Sequence, residues 1–288
     1  MTASSIAART DPALGAPILA DTIAEMTYGD VSAAAARGAV ILWAFGVVEQ
    51  HGPHLPTGTD IYIPSARLRL ARRFLAEAGI EALILPPYYW GVNHVSASFP
   101  ASIKVRPEVM AALMGDVIDS LGGDGFSKVF LVSGHGDALH NRTLFEAAEA
   151  ASKPDGVQAA FVADPALFAR IGVDPASPHA LATTAEPEPT HDGTVYADVH
   201  AGDWETSLML ALEPDLVRKD DLGGLPPTDL SADDLAEWRK GHDHARRVTP
   251  DGYLGDPASA TAEKGAASIV RDARSIAEAI AARMAGKR

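Results

Sequence analysis

Two short segments of the chain concentrate side chains that can bind divalent metal ions. They lie at residues 49–60 and 135–137. Their candidate ligands are Glu49, His51, Asp60, His135 and Asp137. The chain contains no cysteine, so imidazole and carboxylate are the available ligands, and this set suits Zn²⁺, Mn²⁺ or Fe²⁺ better than Ca²⁺. The sequence therefore predicts a divalent-metal site.

The number of candidate ligands indicates two ions rather than one, because it exceeds the ~3 protein ligands of an open catalytic zinc site. Glu49 and His51 are two residues apart, so they share one face of an extended segment. Asp60 follows Pro56 and Gly58, within reach of both ions as a bridge. Such a pair activates water for hydrolysis. We expect two divalent ions per subunit, Zn²⁺ first, with Mn²⁺ or Fe²⁺ as alternatives.

A third polar segment at 198–207 adds His200, Asp203 and Glu205 to the candidate site. An imidazole that titrates near neutral pH can transfer a proton to a leaving group. His200 is therefore a candidate catalytic residue, and Glu205 is placed near the site with its role open. Asp203 stands close to the start of a predicted helix, where capping explains it equally well.

The elements that must position these side chains are short buried strands alternating with amphipathic helices. Near-continuous apolar runs predict strands at 39–45, 80–86, 128–134 and 157–163. Helical spacing of apolar residues predicts helices at 63–79, 106–123, 202–214 and 267–284. This order predicts an α/β fold with a mainly parallel sheet. Both ligand segments follow strands, so their side chains should meet at the carboxyl edge of the sheet.

The chain is expected to form one domain over residues 1–288. Its first 20 residues are expected to be flexible. The proline-rich stretch 171–199 is expected to be a long irregular loop near the site, because loops of this length in a compact domain are usually functional.

Composition limits the possible partners. The net charge is −14, from 24 basic and 38 acidic residues, which disfavours nucleic acid and anionic membranes as partners. The sequence has no apolar run long enough to span a membrane and no signal-peptide pattern at its start. We expect a cytoplasmic protein that acts on a small molecule.

Five separated motifs resemble those of the creatininase family of metal-dependent amidohydrolases. They are EQHGPHLPTGTD at 49–60, GVNHVSASFP at 91–100, SGHGD at 133–137, HAGDWETS at 200–207 and GDPASATAEKG at 255–265. The resemblance implies a three-layer α/β/α fold, a binuclear metal centre and a homo-oligomer, often a hexamer. It also implies hydrolysis of a non-peptide C–N bond, as in a cyclic amide, a formamide or a related small amide.

The resemblance also implies roles for individual residues. Glu49, Asp60 and His135 would hold one ion, and His51, Asp60 and Asp137 the other, with Asp60 as the bridge. His200 matches a family histidine that assists proton transfer to the leaving nitrogen. Glu205 matches a family glutamate that could orient the site or ligate metal.

Three positions depart from the family pattern. Asp137 stands where creatininase itself has a glutamate, and many other members read GHGGN over this segment. Val199 replaces a carboxylate that precedes the matching histidine in creatininase, which makes creatinine a doubtful substrate. The common FPGT segment reads FPAS here, with Ala101 in place of glycine. The backbone near the substrate is therefore expected to differ.

Other functions remain open from the sequence. Within the family, they are a peptidase that trims a modified precursor peptide and a hydrolase of a C–C bond in a cyclic ketone. Outside catalysis, the chain could be a silent assembly or binding subunit. A nucleotide-binding domain and a serine hydrolase are disfavoured, because the chain has no GxGxxG, GxxxxGK[ST] or GxSxG motif in a suitable context.

Overall fold

A parallel sheet of five strands forms the centre of the computed structural model, which describes residues 15–184 and 197–286. The strands are β1 Val40–Phe45, β2 Ala82–Ile84, β3 Lys128–Ser133, β4 Gln158–Ala163 and β5 Ala180–Ala182. Their order is β2-β1-β3-β4-β5, and every neighbouring pair is parallel. The predicted α/β class with a parallel sheet is confirmed.

Helices connect the strands and cover the sheet. In the first half they are α1 Tyr28–Ala36, α2 Thr59–Glu77, α3 Pro107–Gly123, α4 Ala138–Ala151 and α5 Pro165–Ile171. The second half contributes α6 Asp203–Leu212, α7 Lys219–Leu222, α8 Ala232–Trp238, α9 Asp243–Val248 and α10 Ala262–Met284. Short 3₁₀ helices lie at Ile23–Glu25 and Pro257–Ser259. None of the described helices combines the length and apolarity needed to cross a membrane.

The two faces of the sheet support separate hydrophobic cores, because successive strand residues point to opposite sides. Ile41, Trp43 and Phe45 of β1 pack in the core that contains residues of α1, α3, α4 and α5. Leu42 and Ala44 pack in the core formed with α2, α6 and α10. The architecture is therefore three layers, helix on sheet on helix, as the motif resemblance implied.

The four predicted strands and the four predicted helices are all present, with shifted ends. The expectation of an irregular stretch at 171–199 is wrong over Ala180–Ala182, which pairs with β4 as a strand. This strand has only three residues, and prolines precede it, so it shows no strand periodicity. Part of that stretch, residues 185–196, lies outside the described residues. So do residues 1–14 of the segment that was expected to be flexible.

The strand order creates a topological switch point between β1 and β3. From β1 the chain moves outward to β2, then returns to β3 on the other side of β1. In open α/β sheets this point leaves a crevice at the carboxyl ends of the two strands. The segments that follow β1 and β3 are those that carry the predicted metal ligands.

Candidate metal centre

Two glycines bring the ends of β1 and β3 against the start of α2. A Cβ atom on Gly46 would lie 2.2 Å from the backbone oxygen of Asp60, and one on Gly134 would lie 2.3 Å from the same oxygen. Only residues without a side chain allow such an approach. Asp60, in the first turn of α2, is thereby fixed between the two strand ends.

One group of potential ligands consists of Glu49, Asp60 and His135. The Nδ1 atom of His135 lies 2.9 Å from Oε1 of Glu49 and 2.8 Å from Oδ2 of Asp60. All three side chains are buried, and one ligand atom from each falls within 4.8 Å of the others. The structure therefore brings together three of the predicted ligands as one compact group.

A second group shares Asp60 and adds His51 and Glu205. The Nε2 atom of His51 lies 3.1 Å from Oδ1 of Asp60 and 3.7 Å from Oε2 of Glu205. These atoms also form a compact buried group. Asp60 thus presents Oδ2 to the first group and Oδ1 to the second, which is the arrangement of a bridging carboxylate.

Surrounding polar groups orient the potential ligands. The Nδ1–H of His51 donates to the backbone oxygen of Glu49 at 3.1 Å, which leaves Nε2 free to bind a cation. Asn93 donates to Oε2 of Glu49 at 3.1 Å, and the Ser96 hydroxyl donates to the same atom. Both donors contact Oε2, so Oε1 of Glu49 remains available to bind a cation.

The buried carboxylates stabilise positive charge on the neighbouring histidines. Burial alone would favour neutral His51, but the charges of Asp60, Glu205 and Glu49 outweigh it and raise its pKa to about 10. Burial also opposes a charge on His135, yet Glu49 and Asp60 hold its pKa well above the usual value. The pKa of Glu205 is raised to about 7, chiefly by burial.

Divalent cations fit this environment. Among the described residues, Oδ2 of Asp60 makes no well-formed hydrogen bond, since its 2.8 Å contact with Nδ1 of His135 lacks the required geometry, and the buried Nε2 of His135 has no hydrogen-bond partner. Such buried atoms are normally satisfied. Burial opposes ionisation of Asp60, but the charges of His51 and His135 keep its pKa below the ordinary value. The donor set is carboxylate and imidazole, which suits borderline divalent ions. The residues present therefore fit divalent metal binding.

His200 stands beside the two groups in a defined orientation. Its Nε2 atom lies 2.8 Å from the backbone oxygen of Gln50, which accepts, and 3.1 Å from the side-chain nitrogen of the same residue, which donates, so these contacts fit either tautomer of the ring. Nδ1 is 3.9 Å from Oε2 of Glu205. Burial, followed by the charge of His51, lowers the pKa of His200 to about 4. His200 also forms a third compact group with Glu49 and His51, so the structure places it at the centre.

Asp137 is the predicted ligand that the structure does not bring into these groups. It is the N-cap of α4, where Oδ1 accepts from the backbone N–H groups of Leu139 and His140. Oδ2 accepts from the backbone N–H groups of His94 and Val95 at 2.8 and 2.9 Å. Four donors occupy its carboxylate, and Glu205, rather than Asp137, completes the compact group with His51 and Asp60.

A large cavity gives access to the centre. Its volume is about 1930 Å³, and Glu49, Asp60, His135, His200 and Glu205 contribute to its wall. Sequence reasoning did not assign roles to Gln50, Asn93 and Ser96, although all three contact predicted site residues. Asn93 and Ser96 stand inside the motif at 91–100, so that motif was the available signal.

Comparison with known proteins extends the geometric result. The family model Creatininase, described as creatinine amidohydrolase, matches residues 24–280. The chain belongs to the creatininase family. It is 30% identical over 229 residues to the mycofactocin precursor peptide peptidase of Mycolicibacterium smegmatis, covering 78% of each chain. It is 28% identical over 278 residues to the creatinine amidohydrolase of Pseudomonas putida, covering 90% of this chain and 95% of that one.

The fold is also that of the family. The solved structure "Creatininase Mn" superposes with a TM-score of 0.65 at 22% identity and covers 92% of this chain and 98% of that chain. Among the departures from the family motifs, Ala101 adopts a left-handed backbone with φ of 60°. The backbone here thus has a conformation that favours glycine, although the residue is alanine. Val199 instead pairs through its backbone N–H with the oxygen of Leu254 at 2.9 Å.

Proposed function

We propose that this creatininase-family hydrolase uses a binuclear metal centre to hydrolyse a non-peptide C–N bond, as in a cyclic amide, a formamide or a related small amide. The observation that carries the proposal is the division of the Asp60 carboxylate between two compact groups of potential ligands. Glu49, Asp60 and His135 would hold one ion, and His51, Asp60 and Glu205 would hold the other. When bound, such ions lower the pKa of water and polarise a carbonyl oxygen.

His200 supplies the proton transfer that amide hydrolysis needs. In the tautomer whose Nε2 proton is donated to the Gln50 carbonyl, Nδ1 is the free base on the side of Glu205. Nδ1 accepts the proton that the attacking water loses and returns it to the leaving nitrogen, which otherwise departs poorly. The cavity around these groups accommodates a small substrate and keeps the reacting atoms beside buried side chains.

Metal analysis combined with turnover tests the proposal. The protein is purified, loaded with Zn²⁺, Mn²⁺ or Fe²⁺, and its metal content is measured beside hydrolysis of formamides, lactams and cyclic ketones. We expect two ions per chain and loss of turnover in His51→Ala. The control is His244→Ala, since His244 lies on α9 and is paired with Glu237. Fewer than one ion per chain, or undiminished turnover in His51→Ala, would overturn the proposal.

A peptidase acting on a modified peptide is the second candidate function. Relatives that are 30% identical carry that activity by name, and a cavity of about 1930 Å³ exceeds what a small cyclic amide fills. Turnover of peptides but not of formamides or lactams would favour this candidate. A silent subunit predicts damaged ligand positions, whereas both groups around Asp60 are complete.

A further inference from the structure

The cationic side chains that line the cavity fall into two kinds. In the first kind, the cation is already paired with a carboxylate. The Nη2 atom of Arg67 lies 2.7 Å from Oδ2 of Asp272, and Nζ of Lys264 lies 2.8 Å from Oδ2 of Asp203. Within residues 15–184 and 197–286, the guanidinium of Arg170 has no ion pair or side-chain hydrogen bond.

Arg239 also has no such partner within the same described ranges. Both arginines belong to the wall of the cavity that holds the metal centre, and both remain accessible to solvent. An arginine that is already paired stabilises the protein, whereas two unpaired guanidinium groups on one cavity wall are available to an anionic ligand.

Separate elements bring the two arginines to the wall of the cavity. Arg170 is in the last turn of α5, which follows β4 at the carboxyl edge of the sheet. Arg239 directly follows Trp238, whose ring centroid lies 6.2 Å from that of His200. The indole N–H of Trp238 donates to the hydroxyl of Thr249 at 3.0 Å, which fixes this end of α8.

The electrostatic environment of Arg170 agrees with this placement. Partial desolvation by the cavity wall, followed by the positive charge of Arg239, lowers the pKa of Arg170, and Asp164 and Asp137 only partly compensate. The two guanidinium groups repel each other and neither forms an ion pair with a described residue, so an anion that binds between them is stabilised by both charges. A carboxylate accepts two parallel hydrogen bonds from each such group.

We propose that Arg170 and Arg239 bind a carboxylate of the substrate while its scissile amide lies at the metal centre. This assignment rests on the proposed function and names the substrate class: an amide that also bears a free carboxylate. The carboxylate could belong to a small N-acyl amino acid or to the C-terminus of a peptide. Both offer the same anion to the arginines.

The first test compares matched ligands that differ only in this carboxylate. Binding of N-acetylglycine and of N-acetylglycinamide to the metal-loaded protein is measured by calorimetry. We expect the acid to bind more tightly, and the preference to fall about 10- to 100-fold in the double variant R170Q/R239Q. Arg106→Gln is the control, because Arg106 is exposed and lies outside the cavity.

Equal binding of the two ligands by the unaltered protein would overturn the inference. An undiminished preference in R170Q/R239Q would also overturn it, because the carboxylate would then be held by the metal ions instead. Metal content and thermal stability are expected to match the unaltered protein, since both replaced side chains are exposed.

Hydrolysis separates this inference from the proposed function. Turnover of N-formylglycine and N-formylglycinamide at equal rates would contradict the role of the arginines and leave metal-dependent amide hydrolysis intact. A protein without bound metal would contradict the proposed function instead. Peptides with a free or an amidated C-terminus distinguish the two sources of the carboxylate. A protein that binds the C-terminus of a peptide would hydrolyse the free peptide faster than the amidated one, whereas a protein specific for small N-acyl amino acids would hydrolyse neither.

Discussion

Asp60 faces His135 with one carboxylate oxygen and His51 with the other, at 2.8 and 3.1 Å. One side chain therefore belongs to both groups of potential ligands. Any ion in either group depends on it, and the two groups cannot be altered independently at this position.

Replacing Asp60 by asparagine tests the bridge. The substitution would keep the size of the side chain but remove the charge shared by both groups. We expect the metal content of Asp60→Asn to fall toward zero and turnover to fall more than about 100-fold, beyond the usual effect of a residue that only orients a ligand. Elemental analysis of the purified variant measures the first effect. Retention of two ions would show that Asp60 does not bridge.

Paired neutral variants decide between Glu205 and Asp137 as a ligand. We expect Glu205→Gln to lower the metal content from two ions to one, because Oε2 of Glu205 lies near His51. Asp137→Asn should retain two ions and lose about 1–3 kcal/mol of stability, since an amide nitrogen would face backbone donors that need an acceptor. Metal analysis and denaturant unfolding measure the two effects. The reverse pattern would restore the ligand set implied by the family motifs.

The glycine that follows β3 provides a test of the backbone approach. Gly134→Ala would place a methyl group against the backbone oxygen of Asp60, so we expect a loss of about 1–3 kcal/mol together with weaker metal binding. Gly136→Ala is the matched control, because a Cβ atom there meets nothing within 4 Å. Thermal unfolding with and without metal measures both effects. Equal behaviour of the two variants would argue against a role for this contact.

Ala101 offers a prediction about backbone strain. A left-handed conformation costs a non-glycine residue about 1–2 kcal/mol, and part of the gain from relieving it is lost to the greater freedom of glycine in the unfolded chain. We therefore expect Ala101→Gly to stabilise the protein by roughly 0.5–1 kcal/mol, measured by denaturant unfolding. A destabilised variant would mean that the methyl group makes compensating contacts.

The strands and the main ligand groups were predictable because their signals are local. Near-continuous apolar runs mark β1 and β3, and Glu49, His51 and Asp60 follow β1 within one short segment. The meeting of both segments at one edge follows from parallel strand order alone.

The position of Asp137 could not be predicted in the same way. Two of its four donors are backbone N–H groups of His94 and Val95, which lie 43 and 42 residues earlier in the chain. Glu205 reaches His51 from a helix that is even more remote in sequence. Such competition between distant segments for one carboxylate is a tertiary effect, and the spacing of residues within a motif carries no information about it.

The chain separates the side chains that surround Asp60 from the arginines of the cavity wall. The former come from the segments after β1 and β3 and from α2 and α6, whereas Arg170 and Arg239 lie on or beside α5 and α8, which contribute no potential ligand to the described groups. A mutagenesis library restricted to the cavity-facing residues of α5 and to Arg239 would therefore search for new substrates without altering the reactive machinery. In evolutionary terms, this separation allows substrate preference to change while the reaction chemistry is conserved.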